Sequence, residues 1–325
     1  MSDPVIILAP PHSFTSIICT MLGQHPQMYG LPEVHLFVAE TMQERAGWVA
    51  PPRWRAEMIT RPGWREHGLL RVVAQLFAGE QTAHTIARAR RWVHFRANCT
   101  CVDVFRELAE KVSPRMLVDK SPSTTICSEY LQRARRAFPR AKFIHLLRHP
   151  RSYSESMWKL RSLGVDRGKP WSAFRQNRAP HGPMGYAADR RLRAFDDSID
   201  PSWYTKHMNI VTFLDRLPEG QKMRVRGEDL LSEPDPYLRE IAEWLGLRTD
   251  EDAIEAMRHP EQSPYACFGP VNAPFGNNRG FLKEPALRRN PPAKGLQLEG
   301  ALSRREDGGE LSPEVKELAR EFGYT

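Results

Sequence analysis

The apolar run Val5-Ile6-Ile7-Leu8 leads through Ala9-Pro10-Pro11-His12-Ser13-Phe14-Thr15-Ser16 into Ile17-Ile18-Cys19-Thr20-Met21-Leu22. Consecutive apolar residues without alternation predict a strand buried on both faces, as in parallel sheets covered by helices. The prolines and hydroxyl residues then turn the chain, and the second apolar stretch predicts a helix. A strand-loop-helix of this kind aims free backbone N–H groups and the positive end of the helix dipole at one point, which suits an anion and above all a phosphate. A plain turn in which Thr15 or Ser16 caps the helix is the alternative, and this segment alone leaves both readings open.

Later segments repeat the pattern. Met116-Leu117-Val118 predicts a strand with Asp119-Lys120-Ser121-Pro122 at its C-terminal end, where open α/β sheets bind ligands. Lys142 to Leu147 is the longest strand candidate and ends in Arg148-His149-Pro150, followed by a helix carrying Ser152, Ser154 and Ser156. Met223 to Arg226 predicts a last core strand, before Gly227-Glu228-Asp229-Leu230 and a helix with Leu238, Ile241, Trp244 and Leu245 on one face. Alternating strands and helices give the fold class: α/β, with a mainly parallel central sheet flanked by helices. Residues 1–325 are read as a single domain, with a helical insertion over 38–112 and an irregular loop region over 260–310. Trp48, Trp54, Trp64 and Trp92 fall in the insertion, where they either line an apolar acceptor pocket or pack its helices on the body. A C-terminal helix is predicted with Val315, Leu318, Ala319 and Phe322 on one stripe.

Hydrophobic residues at 41%, charged residues at 26% and 27 prolines describe a globular, loop-rich chain. No apolar run approaches the roughly 18 residues of a membrane span, and Met1-Ser2-Asp3-Pro4 has no signal-peptide pattern, so a cytoplasmic protein is expected. The five cysteines are too scattered for a disulfide framework or a zinc site and are read as free thiols. The net charge of +8 is spread along the chain without an interleaved basic-aromatic stripe, which argues for a polyanionic small ligand over nucleic acid. Arg88-Ala89-Arg90-Arg91 and Arg133-Ala134-Arg135-Arg136 are read as solvated helix faces.

The chemistry sits at the predicted strand ends. Arg148, closing its strand, offers a bidentate fork, and Ser156, in the second turn of the helix after Pro150, a hydroxyl that the intervening turn can bring to the same spot, a pair able to grip a phosphate monoester. With the first loop this makes two anion sites and no Gly-x-x-x-x-Gly-Lys-Ser/Thr run, which points to a nucleotide phosphorylated in two places. In Glu33-Val34-His35, residues two apart on an extended segment share a face, so a carboxylate and an imidazole can meet at one cavity. There Glu33 is placed to take a proton from an acceptor hydroxyl, and Lys120 to steady charge on a leaving oxygen.

Together these segments resemble, over most of the chain, the sulfotransferases that use 3′-phosphoadenosine 5′-phosphosulfate (PAPS). Pro11 to Ser16 stands where that family has its phosphosulfate loop, typically proline, a basic residue, serine, glycine and two threonines. Arg148 and Ser156 stand where the family binds the 3′-phosphate. Glu33-Val34-His35-Leu36-Phe37 is similar to the base segment of heparan sulfate sulfotransferases, and Asp119-Lys120-Ser121-Pro122 to their Lys-Ser/Thr-Pro motif. Leu302 to Gly308, with Gly323-Tyr324, is similar to bacterial members.

The resemblance implies a P-loop NTPase-like sulfotransferase fold and sulfuryl transfer from PAPS to an acceptor hydroxyl, leaving adenosine 3′,5′-bisphosphate, with no metal. Glu33 is then the base and His35 orients it or the acceptor; Lys120, His12 and the backbone of Ser13 to Ser16 stabilise developing charge. Pro11, His12, Ser13, Phe14, Thr15, Ser16, Arg148 and Ser156 hold the donor, with Arg279 and Lys294 as candidate late-loop ligands. The acceptor is a small molecule or a glycan- or lipid-like hydroxyl, shaped by the insertion and the 260–310 region. Three positions depart from the family pattern: His12 replaces lysine or arginine, Phe14 a glycine, and Gly227 a tyrosine. Phenylalanine resists positive φ, so helical backbone is expected at Phe14, failing which the loop has another shape. An imidazole of ordinary pKa is only about one quarter charged at pH 7, and a neighbouring phosphate raises that fraction. A catalytically impaired nucleotide- or acceptor-binding homologue and a phosphoryl-transfer enzyme are the alternatives; the missing P-loop lysine counts against the second.

Overall fold

A computed structural model describes residues 3–49, 65–165, 200–288, 296–302 and 309–325. Five strands, β1 (Val5–Leu8), β2 (Met28–Gly30), β3 (Met116–Asp119), β4 (Lys142–Leu147) and β5 (Lys222–Arg226), form one sheet in the order β2-β3-β1-β4-β5. Every pairing is parallel; Val5 to Leu8 lie opposite Lys142 to His145, and Val5 and Ile6 opposite Val118 and Asp119.

Period-two geometry sends the residues of β1 alternately to two apolar cores. Ile6 and Leu8 join a cluster with α3 (His67–Ala78), α5 (Cys101–Val112), α6 (Ser128–Ala137) and α8 (Asp200–Leu214), through Val72, Val104, Leu108, Leu131 and Phe213. Val5 and Ile7 join the opposite cluster with α1 (Thr15–Leu22), α10 (Pro234–Leu245) and α11 (Glu251–Met257), through Ile18, Leu238, Ile241 and Ile254. Both faces are therefore covered, as an unalternated apolar strand demands. The remaining helices are α2 (Met42–Val49), α4 (Ala83–Phe95), α7 (Pro150–Val165), α9 (Gly227–Ser232), α12 (Arg279–Lys283) and α13 (Pro313–Glu321). Val315, Leu318, Ala319 and Phe322 of the C-terminal segment pack with Leu147, Tyr153 and Trp203.

The segments over 38–112 and 260–310 contain α2 to α5 and, in the second, the short helix α12 that the sequence did not announce. Trp48 lies beside His35 with ring centroids 5.4 Å apart, whereas Trp92 packs on Phe77 at 5.2 Å; Trp54, Trp64 and Lys294, and Ser303 to Gly308, lie outside the described residues. One charged run departs from expectation. Arg133 is buried, donating to Glu40 Oε1 and Glu129 Oε1 at 2.8 Å and to Phe37 O at 2.7 Å, so it ties α6 to the core rather than lining a solvated face. Among the described residues no helix is long and apolar enough to cross a membrane.

Candidate active site

The β1–α1 loop brings Pro11, His12, Ser13, Phe14, Thr15 and Ser16 to the C-terminal edge of the sheet, with β3 on one side of β1 and β4 on the other. Loops leaving such a switch point diverge and open a crevice. His12 and Phe14 take left-handed backbone, with φ of 64° and 59°. Helical backbone at Phe14 is thus not what forms. Phe14 is the N-cap residue of α1, its side chain makes no capping bond, and an L-residue in this region costs about 1–2 kcal/mol. Ser13, between them, is fully buried, and its Oγ has no hydrogen-bond partner among the described residues. An unpartnered buried hydroxyl is unfavourable by itself and fits an acceptor oxygen arriving from a ligand.

Arg148 closes β4 and reaches the same loop. Its Nη1 donates to His12 O, its Nε to Ser152 Oγ at 2.8 Å, and its Cζ lies 4.4 Å from the Phe14 ring centroid. Burial lowers its pKa to about 10, so it stays charged at neutral pH. Ser156 sits with its Oγ 3.1 Å from His12 Nδ1. Arg148 and Ser156 therefore converge through His12, one on its carbonyl and one on its ring, rather than on each other. Burial, then the Arg148 charge, hold the His12 imidazole below its ordinary 6.5, while Glu33 pulls it upward.

Glu33-Val34-His35 follows Pro32. Glu33 and His35 meet, Nε2 to Oε2 3.6 Å, but not by sharing one face of an extended strand: His35 has φ of 50°, and the chain bends there. Glu33 Oε1 accepts from Lys120 Nζ at 3.0 Å, and the same ammonium donates to Ser16 Oγ at 3.2 Å. Lys120 is fully buried, at the end of β3. Burial pushes His35 well below the ordinary imidazole value, with Arg45, Arg65 and Lys120 adding to it, so the ring is neutral and its contact with Glu33 is not an ion pair.

Further residues hold this arrangement, and of these Ser123, Arg45, Gly276 and Asn278 are ones the sequence does not single out. Ser121 Oγ accepts from His35 N at 3.0 Å and Val34 N at 3.2 Å, and donates to Asp119 Oδ1 at 2.9 Å. Burial raises the Asp119 carboxyl to about 6. Ser123 Oγ lies 2.7 Å from His35 Nδ1. Buried Arg45 donates through Nε and Nη2 to Val34 O and through Nε to His35 O, which fixes the bend. From the late region, Asn278 N donates to Ser16 Oγ at 3.0 Å, its Nδ2 lies 3.5 Å from His12 Nδ1, and Gly276 O accepts from Glu33 N at 2.8 Å. Its neighbour Arg279 is exposed, with Cζ 4.3 Å from the Phe275 ring centroid. Tyr324 OH donates to Glu228 Oε2 at 2.9 Å while His149 N donates to Glu228 Oε1 at 2.8 Å, so the chain's penultimate residue buttresses the strand end beside Arg148. Ser121 and Asp119 lie in the motif the sequence marks; Arg45, Gly276 and Asn278 reach their targets from other segments, and no local pattern marks them.

A five-stranded parallel sheet with the β1–α1 loop at its switch point defines an α/β protein of the P-loop-like type. The chain belongs to the sulfotransferase family, whose model matches residues 4–251. Among solved structures it is similar to the sulfotransferase domain from the curacin biosynthetic pathway, with a TM-score of 0.72 and 22% identity over 100% of this chain and 99% of that one. It is similar too to the sulfotransferase domain from the Synechococcus PCC 7002 olefin synthase, with a TM-score of 0.69 and 23% identity over 100% and 97% of the two chains. At these identities the likeness speaks for the fold. No curated protein matches the chain.

Proposed function

We propose that residues 1–325 act as one catalytic domain that transfers a sulfuryl group from PAPS to an acceptor hydroxyl, with Glu33 as the general base. One observation carries the reading: buried Lys120 joins the Glu33 carboxylate to Ser16 of the anion loop, so base, cation and loop meet at one point. The residues present suit a doubly phosphorylated donor. Ser13 Oγ awaits an acceptor, Arg148 is a buried cation beside the loop, and Ser156 and His12 add polar groups next to it.

The donor supplies an activated sulfur-oxygen bond. As the acceptor oxygen bonds to sulfur, its proton passes to a Glu33 carboxylate oxygen and the bond from sulfur to the bridging phosphate oxygen breaks. The products are a sulfate ester and adenosine 3′,5′-bisphosphate. Lys120, the His12 ring and the N–H groups at the start of α1 oppose the charge developing on the sulfuryl and departing phosphate oxygens. Ser123 Oγ pairs with His35 Nδ1 at 2.7 Å; in the tautomer protonated on Nε2, that N–H faces Glu33 Oε2 at 3.6 Å and orients the carboxylate as the acceptor binds. Trp48, beside His35, and the segment around Gly276 border the acceptor side.

Calorimetric titration with adenosine 3′,5′-bisphosphate, ATP and ADP tests the donor class. Preference for the bisphosphate supports the reading; preference for ATP, or no binding, overturns it.

A further inference from the structure

Phe14 holds a backbone conformation that phenylalanine seldom adopts, with φ 59° and ψ 6°. Something outside the loop must impose it. Gly227, the first residue of α9, lies against the ring: a Cβ built there would be 2.5 Å from Phe14 Cδ2 and 3.2 Å from Leu147 O. The ring thus occupies the space that any side chain at position 227 would need. Its π-face meets the Arg148 guanidinium at 4.4 Å, and Arg148 is tied to the loop through His12 O and to α7 through Ser152 Oγ. A cation over an aromatic face is held in position by the ring quadrupole, most strongly where water is excluded.

Resting on the donor reading above, we propose that Phe14 is a positioning residue: seated in the space left by Gly227, its ring sets the guanidinium of Arg148 for the donor's 3′-phosphate. Phe14 and Gly227 then act as a pair. The absent side chain at 227 is what admits the ring, and the ring takes over the ordering of this edge.

The test compares affinities for adenosine 3′,5′-bisphosphate and adenosine 5′-monophosphate, which differ only in the 3′-phosphate, in four variants. Phe14→Gly removes the ring and suits the left-handed backbone, so folding is preserved while the wild-type preference for the bisphosphate falls about 3- to 30-fold, the range of a desolvated cation–π contact. Phe14→Tyr keeps the ring and the preference. Gly227→Ala displaces the ring and lowers the preference in the wild type, yet has no further effect in a Phe14→Gly background. An unchanged preference in Phe14→Gly, or an equal cost of Gly227→Ala in both backgrounds, overturns the pairing while leaving the donor reading intact. Equal wild-type affinity for the two nucleotides overturns both.

Discussion

The two edges of the crevice are built differently. On the base edge most polar groups are committed: Glu33 to Lys120 and Gly276 O, His35 to Ser121 and Ser123, the carbonyls of Val34 and His35 to Arg45; His35 itself is left-handed and its Nε2, facing Glu33 at 3.6 Å, is the exception. On the donor edge, two residues are held left-handed, a buried serine hydroxyl lacks a partner, and a buried arginine leans on a ring and a carbonyl. Under the proposed function, the edge with most of its bonds made is ready before substrate arrives, and the edge with the unpartnered Ser13 hydroxyl is completed by an anion. On the proposed function, preorganisation for proton transfer and adaptation to a charged ligand fall on opposite sides of β1.

If the edges are separate in function, Glu33→Gln lowers turnover by about 10²–10⁴-fold, the usual range for a general base. The affinity for adenosine 3′,5′-bisphosphate stays within about threefold; calorimetry alongside a sulfate-transfer assay checks both, and undiminished turnover removes Glu33 as the base. Arg148→Ala is the reciprocal change. Losing a charged hydrogen-bonding group of about 1.5–3 kcal/mol weakens bisphosphate binding roughly 10- to 150-fold, and saturating donor restores much of the turnover.

Packing supplies the next largest effect. A Cβ at Gly68 would stand 1.9 Å from Glu33 O, so Gly68→Ala pushes α3 off the base segment. A loss of about 1–3 kcal/mol in denaturant unfolding is expected, with turnover reduced more than nucleotide affinity; the reverse order would erase the distinction between the edges.

The donor edge carries a pH signature. Burial and Arg148 keep unliganded His12 mostly neutral at pH 7, and a bound phosphate raises its pKa, so binding takes up a proton. Affinity for the bisphosphate therefore rises as pH falls from the bound pKa toward the unliganded one, by at most about tenfold per unit. Calorimetry in buffers of different ionisation enthalpy reads the proton uptake, and His12→Gln flattens the profile. The smallest change is Asn278→Ala, which removes the cap of α12 and the contact to His12 but keeps the main-chain bond to Ser16. About a two- to fivefold loss of donor affinity is expected, in line with roughly 1 kcal/mol for a cap.

Strands β1, β3 and β4 are legible because their apolar runs are nearly continuous and bounded by turn residues, and β5 because Met223 and Val225 alternate with charged residues before a turn. β2 is hard to read from sequence, since Met28-Tyr29-Gly30 is short and ends in glycine; pairing with β3 makes it a strand. The site was legible where chemistry is contiguous, as in Pro11 to Ser16, Glu33 to His35 and Asp119 to Pro122. It was illegible where a partner arrives from afar, as with Asn278 on His12 or Tyr324 on Glu228.

Residue type and order alone determined a covered parallel sheet, a hydroxyl-rich loop after its first strand and the carboxylate, imidazole and ammonium near its edge, because periodicity and side-chain chemistry are local properties. Tertiary structure decided the rest: the left-handed turns at His12, Phe14 and His35, the neutrality of His35, and the use of Gly227 as room for the Phe14 ring. Those depend on burial and on contacts between segments far apart in the chain, which no local pattern encodes.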